Sequence, residues 1–176
     1  MNVGALVITA LFLLAILGWY LSFSAGRLDR LHHRVETSWA ALDAALQRRA
    51  GVSLELASSG LLDPASGALL AAAAHEAREA HGNRAQAESD LSANLQLLFP
   101  THAELEALIH DRHGEDLVHE VEDAISRVQL AHSFHTDAVT STNQVRNKPI
   151  VRLFRLAGRA KHPEEFSAAL EIVRDS

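Results

Sequence analysis

Residues 1–26 carry no charged side chain, and that stretch constrains the chain more than any other feature. Val3 to Phe23 (VGALVITALFLLAILGWYLSF) is interrupted only by small or hydroxylated residues. At ~1.5 Å per residue these positions make a helix about 31 Å long, which matches the hydrocarbon core of a bilayer. Trp19, Tyr20 and Phe23 fall at its C-terminal end, where aromatic rings settle at headgroup level. A cleaved signal peptide is the competing reading. It requires basic residues ahead of a shorter apolar stretch, whereas only Met1 and Asn2 precede Val3. The sequence therefore predicts a single transmembrane anchor over residues 1–26. Arg27, Arg30 and Arg34 follow it with nothing basic before it. By the positive-inside rule this places the N-terminus outside and the remainder in the cytoplasm, at an inner or plasma membrane.

Beyond the anchor the pattern is helical throughout. Leu28, Leu31, Val35, Trp39, Leu42 and Leu46 recur every three or four residues, so the anchor is expected to continue as an amphipathic helix to about Ser58. Ser58-Ser59-Gly60 is a stop signal, and Asp63-Pro64 supplies an N-cap and a first-turn proline for a second helix. An alanine-rich segment (GALLAAAAHEAREAH) then suits close helix packing. His81-Gly82-Asn83 either kinks or ends that helix before RAQAESDLSANLQLLF and Pro100. Thr101 and Glu104 form a capping box for a short helix, and Gly114 is expected to separate it from a last long helix, Glu115 to about Val145. Val121, Ala124, Val128, Ala131, His135 and Ala138 mark one face of that helix. No segment alternates long enough to form a strand. The expected architecture is all-α: the anchor, an elongated antiparallel bundle of three to four long helices over residues 27–146, and a basic C-terminal segment over 147–176.

Charge narrows the function classes. The net charge of −6 gives no reason to expect nucleic acid as a partner, and the absence of cysteine excludes a disulfide scaffold or a thiol nucleophile. Between Asp63 and Asp137 stand 14 acidic and four basic residues, whereas Arg146 to Lys161 holds six basic residues and no acid. Arg152, Arg155 and Arg159 are the candidate interaction residues of that basic tail. It could dock on its own bundle, on a protein partner or on anionic headgroups. Counting three alternating long helices carries residue 146 ~45 Å from the bilayer, which favours the first two.

Four of the 11 histidines lie within residues 102–119. His110, His113 and His119, among Asp111, Glu115, Asp116 and Glu120, are ligand types suited to zinc or another divalent ion, although their spacing matches no established signature. The alternative is a set of solvated histidines in an acidic loop. His132 and His135 are expected either to pack inside the bundle or to titrate near neutrality. Neither a phosphate loop, a dinucleotide fingerprint nor a nucleophile elbow occurs. No cofactor and no catalytic residue are predicted.

Three segments resemble the LemA family of bacterial membrane proteins. In RLDRLHHRVETSWAALDAALQRRAGV the match rests on Val35, Trp39, Asp43, Leu46, Arg48 and Arg49; in RAQAESDLSANLQLLF on Ala87, Glu88, Leu91, Ser92 and Leu95. In HEVEDAISRVQLAHSFHTDAV it rests on Glu120, Glu122, Arg127, Phe134, Asp137, Ala138 and Val139. Ser53-Leu54-Glu55-Leu56, Ile125-Ser126, His132-Ser133 and Thr136 depart from the family pattern, as in a divergent branch. The resemblance implies one N-terminal span, a long antiparallel helical domain and, for some relatives, membrane remodelling, with no established enzymatic activity. The leading expectation is a membrane-tethered, non-catalytic helical scaffold for a protein partner or a second copy. A histidine-rich metal-binding or sensing module is the alternative.

Overall fold

The computed structural model describes residues 3–80, 82–110, 112–154 and 162–170. All regular structure among them is helical: α1 (Val3–Ser58), α2 (Pro64–Glu79), α3 (Arg84–Leu98), α4 (His102–Glu106), α5 (Arg112–Arg146) and α6 (Pro149–Leu153). Helix α1 is unbroken from the apolar run through the amphipathic stripe. Among the described residues one helix is long and apolar enough to cross a membrane, and none of its apolar window is buried. It stops where the sequence places the stop, with Gly60 in the left-handed region at φ 80°. The Asp63 side chain accepts hydrogen bonds from the Ala65 and Ser66 N–H groups and caps α2 behind Pro64. Hydrogen bonding from Ser66, led by its side chain, holds that carboxyl below its ordinary range.

The chain ends helix α2 at Glu79 and starts α3 at Arg84, so the segment around Gly82 is a true break rather than a kink. The capping box at Thr101 and Glu104 is formed. Helix α5 differs from expectation at its start. It begins at Arg112, and Gly114 lies buried inside its first turn instead of ahead of it. In a first turn the N–H groups have no helical partners in any case, so glycine there interrupts nothing. Among the face residues expected for α5, Val121, Ala124, Val128, His135 and Ala138 are all buried.

Two compact units divide the chain: Met1–Thr37 with Asp137–Glu164, and Ser38–Thr136 with Glu165–Ser176. In the first, Leu28, Ala138, Val139, Thr142 and Val151 are buried, while Leu11 to Leu14 are each at least 60% exposed. Here α5 runs antiparallel to α1: Arg146 Nη1 lies 2.9 Å from His32 Nε2, and Val145, Lys148, Pro149 and Val151 share a cavity with Tyr20, Ser24 and Arg27. This overturns the expectation that residue 146 emerges ~45 Å from the end of the apolar run. The break at Gly82 adds one more reversal of direction, which brings the end of α5 back to that run.

In the second unit the main core joins Leu56, Leu70, Ala74, Leu91, Leu95, Leu105, Val118 and Val121 among others. A smaller cluster joins Leu42, Leu46 and Val128 to Ala168 and Leu170 of the non-helical C-terminal segment. The alanine-rich α2 allows backbone contact: a Cβ on Gly67 would stand 2.9 Å from the Ala57 carbonyl oxygen, whereas one on Gly51 meets nothing within 4 Å. Alanine normally stabilises a helical glycine position by roughly 0.5–1 kcal/mol. Gly51→Ala is expected to raise the stability of the detergent-solubilised chain by that amount. Gly67→Ala is expected to lower it, by about 1–3 kcal/mol, because the overpacked carbonyl must move. Thermal unfolding followed by helical circular dichroism reads both signs.

Candidate functional site

The buried stripe of α1 does not end with its last leucine. Stepping on from Leu46, the next in-phase positions are Arg49, Ser53 and Leu56, and all are buried, Arg49 to 1% exposure. Across from Arg49, α3 presents Glu88 and Ser92, one turn apart and equally buried. Arg49 donates to Glu88 Oε2 at 2.8 Å, to the Glu88 carbonyl at 3.2 Å and to Ser92 Oγ at 2.9 Å. Arg84 adds a second cation, 3.8 Å from Glu88 Oε1 and paired with Asp43. The cluster thus balances two guanidinium groups against two carboxylates. Burial pulls Arg49 below its ordinary pKa, and the charge and hydrogen bond of Glu88 oppose that pull.

Asp43, Arg49, Glu88 and Ser92 all belong to the motifs quoted for the family resemblance, and Arg48 and Glu120 from the same motifs meet at 3.4 Å on the surface. Along the sequence Arg49 stands some 40 positions from Glu88 and Ser92, and only the fold brings them together. The available signal was the phase of Arg49 and Ser53 within an otherwise apolar stripe.

A second constellation lies nearer the start of this unit. Trp39 stacks at 5.4 Å against both His135 and Phe166, the latter edge-on. His135 Nδ1 is 3.1 Å from Ser38 Oγ, and His132 Nε2 is 3.0 Å from the Phe166 carbonyl oxygen. Burial holds the His135 imidazole below its ordinary pKa; neighbouring His132 adds to this and Glu165 opposes it. His132 and the Trp39 ring thus hold Phe166 of the C-terminal segment against the helices.

Beside that constellation runs an apolar groove of about 350 Å³, lined by Ser38, Ala41, Ala44, Ala45, Arg48, Arg127, Leu130, Ala131 and Phe134. Leu130 and Phe134 are 56% and 54% exposed, although both are large and apolar. Small side chains on α1 and large ones on α5 make a surface on which another helix can lie closely.

The metal candidates are placed apart. His110 lies in the connection before α5, while His113 and His119 sit on α5 itself, six residues and therefore ~120° around the helix from each other. All three are exposed, and among the described residues no group of three His, Asp or Glu side chains is placed to hold a metal ion. His102, not His110 or His113, meets Glu122 at 2.6 Å, with Glu106 at 3.2 Å on its other nitrogen. Of the candidate interaction residues, Arg152 is exposed on α6; Arg155 and Arg159 lie outside the described residues.

Removing one member of a buried ion pair leaves the other charge uncompensated, at ~3–5 kcal/mol, whereas replacing both by apolar residues is often neutral. Glu88→Leu is therefore expected to lower the unfolding free energy by about 3–5 kcal/mol, and Arg49→Met with Glu88→Leu to recover most of it. Losses that simply add in the double variant would contradict a coupled pair.

Family models, curated proteins and solved structures offer no match to this chain, so its function has to be argued from these residues.

Proposed function

We propose that this chain is a membrane-anchored helical scaffold whose helical domain faces the cytoplasm and acts by binding a protein partner or a second copy rather than by catalysis. The carrying observation is the uncovered apolar run at the start of α1. Leu11, Phe12, Leu13, Leu14, Ile16 and Leu17 are each between 38% and 65% exposed. At ~1.5–3 kcal/mol per such side chain removed from water, exposing six of them costs as much as the ~5–15 kcal/mol that stabilises an entire domain. A bilayer supplies the missing apolar surroundings. Arg27, Arg30 and Arg34 immediately past the run set the direction, with the domain on the cytoplasmic side.

The binding role is supported by the groove flanked by Leu130 and Phe134. It is apolar, open and lined by alanines on one side, the kind of surface that helix-in-groove recognition uses. Of the polar residues that the helices bury, Arg49 pairs with Glu88 and Ser92 inside the domain. The resemblance to the LemA family fits the same reading: an N-terminal span followed by long helices with no established reaction.

The absence of cysteine makes a topology test direct. Ala68 is an exposed position on α2. In intact cells Ala68→Cys is expected to resist a membrane-impermeant maleimide and to react after permeabilisation, with the chain retained in membranes through an alkaline carbonate wash. A photo-crosslinking residue at Phe134 is expected to give a discrete adduct that Ala41→Glu abolishes. Labelling in intact cells contradicts the orientation, and an adduct indifferent to Ala41→Glu contradicts the groove.

A further inference from the structure

Where the apolar run of α1 ends, the first unit holds a cavity of about 420 Å³ lined by Tyr20, Ser24, Arg27, Val145, Lys148, Pro149 and Val151. Its volume falls within the ~300–1,000 Å³ of small-ligand sites. Its lining is divided. Val145, Pro149, Val151 and the Tyr20 ring are apolar, Ser24 and Tyr20 carry hydroxyls, and Arg27 and Lys148 contribute two cations. Two cations at the mouth of one cavity favour an anion over a neutral or positive ligand. Among the described residues neither has an ion-pair partner.

The position within the chain identifies the kind of anion. Tyr20 and the neighbouring Trp19 and Phe23 are the residues that end the apolar run, and the Trp19 and Phe23 rings stand 6.5 Å apart. On the anchored reading this cavity sits at headgroup depth on the cytoplasmic side. A ligand held there has an apolar portion that continues along α1 and a phosphate at the level of the cations. Arg27 can offer a planar, two-pronged set of donors to a phosphodiester and Lys148 a compact charge, with Ser24 and Tyr20 hydroxyls as further partners.

We infer that the cavity formed by Tyr20, Ser24, Arg27, Val145, Lys148 and Val151 is a binding site for the headgroup of an anionic phospholipid. Arg27 and Lys148 select negative charge against a zwitterionic headgroup, and the apolar wall selects a lipid against a free anion. Because α6 and the end of α5 form one wall and α1 the other, a bound lipid clamps the return of α5 onto the anchor. The inference rests on the membrane-anchored reading, and the two can fail separately.

The test uses the full chain purified in an uncharged detergent. Short-chain phosphatidylglycerol, phosphatidylcholine and inorganic phosphate are titrated in turn, and binding is read as a rise in the thermal midpoint. Phosphatidylglycerol is expected to raise the midpoint saturably, and the other two probes to have little effect. Arg27→Gln with Lys148→Gln is expected to weaken the apparent affinity about tenfold or more. Arg34→Gln, which removes a charge outside the cavity, leaves it within about twofold. Lys148→Gln alone, an exposed position, gives a partial loss that Lys148→Arg restores, which separates binding from failure to fold. Equal stabilisation by phosphatidylcholine or by phosphate overturns the site, as does a phosphatidylglycerol response indifferent to Arg27 and Lys148. Release of the unaltered chain by carbonate wash overturns the anchored reading itself; retention together with an indifferent response overturns only the lipid site.

Discussion

Among the described residues none covers the first four turns of α1, and on the anchored reading the rest follows from that. A helix with leucine, isoleucine and phenylalanine on every side has no single face to bury against a neighbour. The proposed bilayer covers all faces at once, which is also why Arg27 can sit immediately past the run: the charge belongs in water just where the hydrocarbon stops. The same helix then changes character without changing conformation. From Leu28 onward it carries one buried stripe, and α5 runs antiparallel to that stripe, with Ser38 meeting His135 and Arg48 meeting Glu120.

Within the second unit, specificity is carried by charge as much as by packing. Arg49 and Glu88 are almost fully desolvated, and each offsets the other's charge through a 2.8 Å pairing, with Ser92 accepting from Arg49 and Arg84 adding a second cation 3.8 Å from Glu88. A slide of α3 along α1 by one turn would leave both charges unpaired in an apolar core. The apolar contacts around them, from alanines and leucines, tolerate such slides far better. A buried balanced cluster of this kind fixes the register of α3 against α1.

Much of this was legible in the sequence because it depends on local rules. The unbroken α1, the Asp63 cap, the capping box at Thr101 and the buried face of α5 follow from periodicity and from the residues that satisfy free backbone N–H groups. What was not legible depends on pairing at a distance. Arg49 reads locally as half of a surface basic pair with Arg48, and only the facing Glu88 and Ser92, some 40 positions on, reveal its burial. The return of α5 to the end of the apolar run depended on whether the chain reversed at Gly82, and the sequence there allowed both a kink and a break. Gly114 misled for a related reason: a glycine in a first turn and a glycine before a helix look alike until the partner surface is known.

On the anchored reading α1 lies in hydrocarbon along residues 3–23 and leaves it near Arg27. A chain without cysteine accepts a single nitroxide label at Leu14→Cys, and collision rates with oxygen and with a water-soluble nickel chelate measure its surroundings in reconstituted vesicles. The account predicts that a label at position 14 collides far more with oxygen than with the chelate, and that one at Ala68→Cys shows the reverse. A label at position 14 as open to the chelate as the one at position 68 would contradict it.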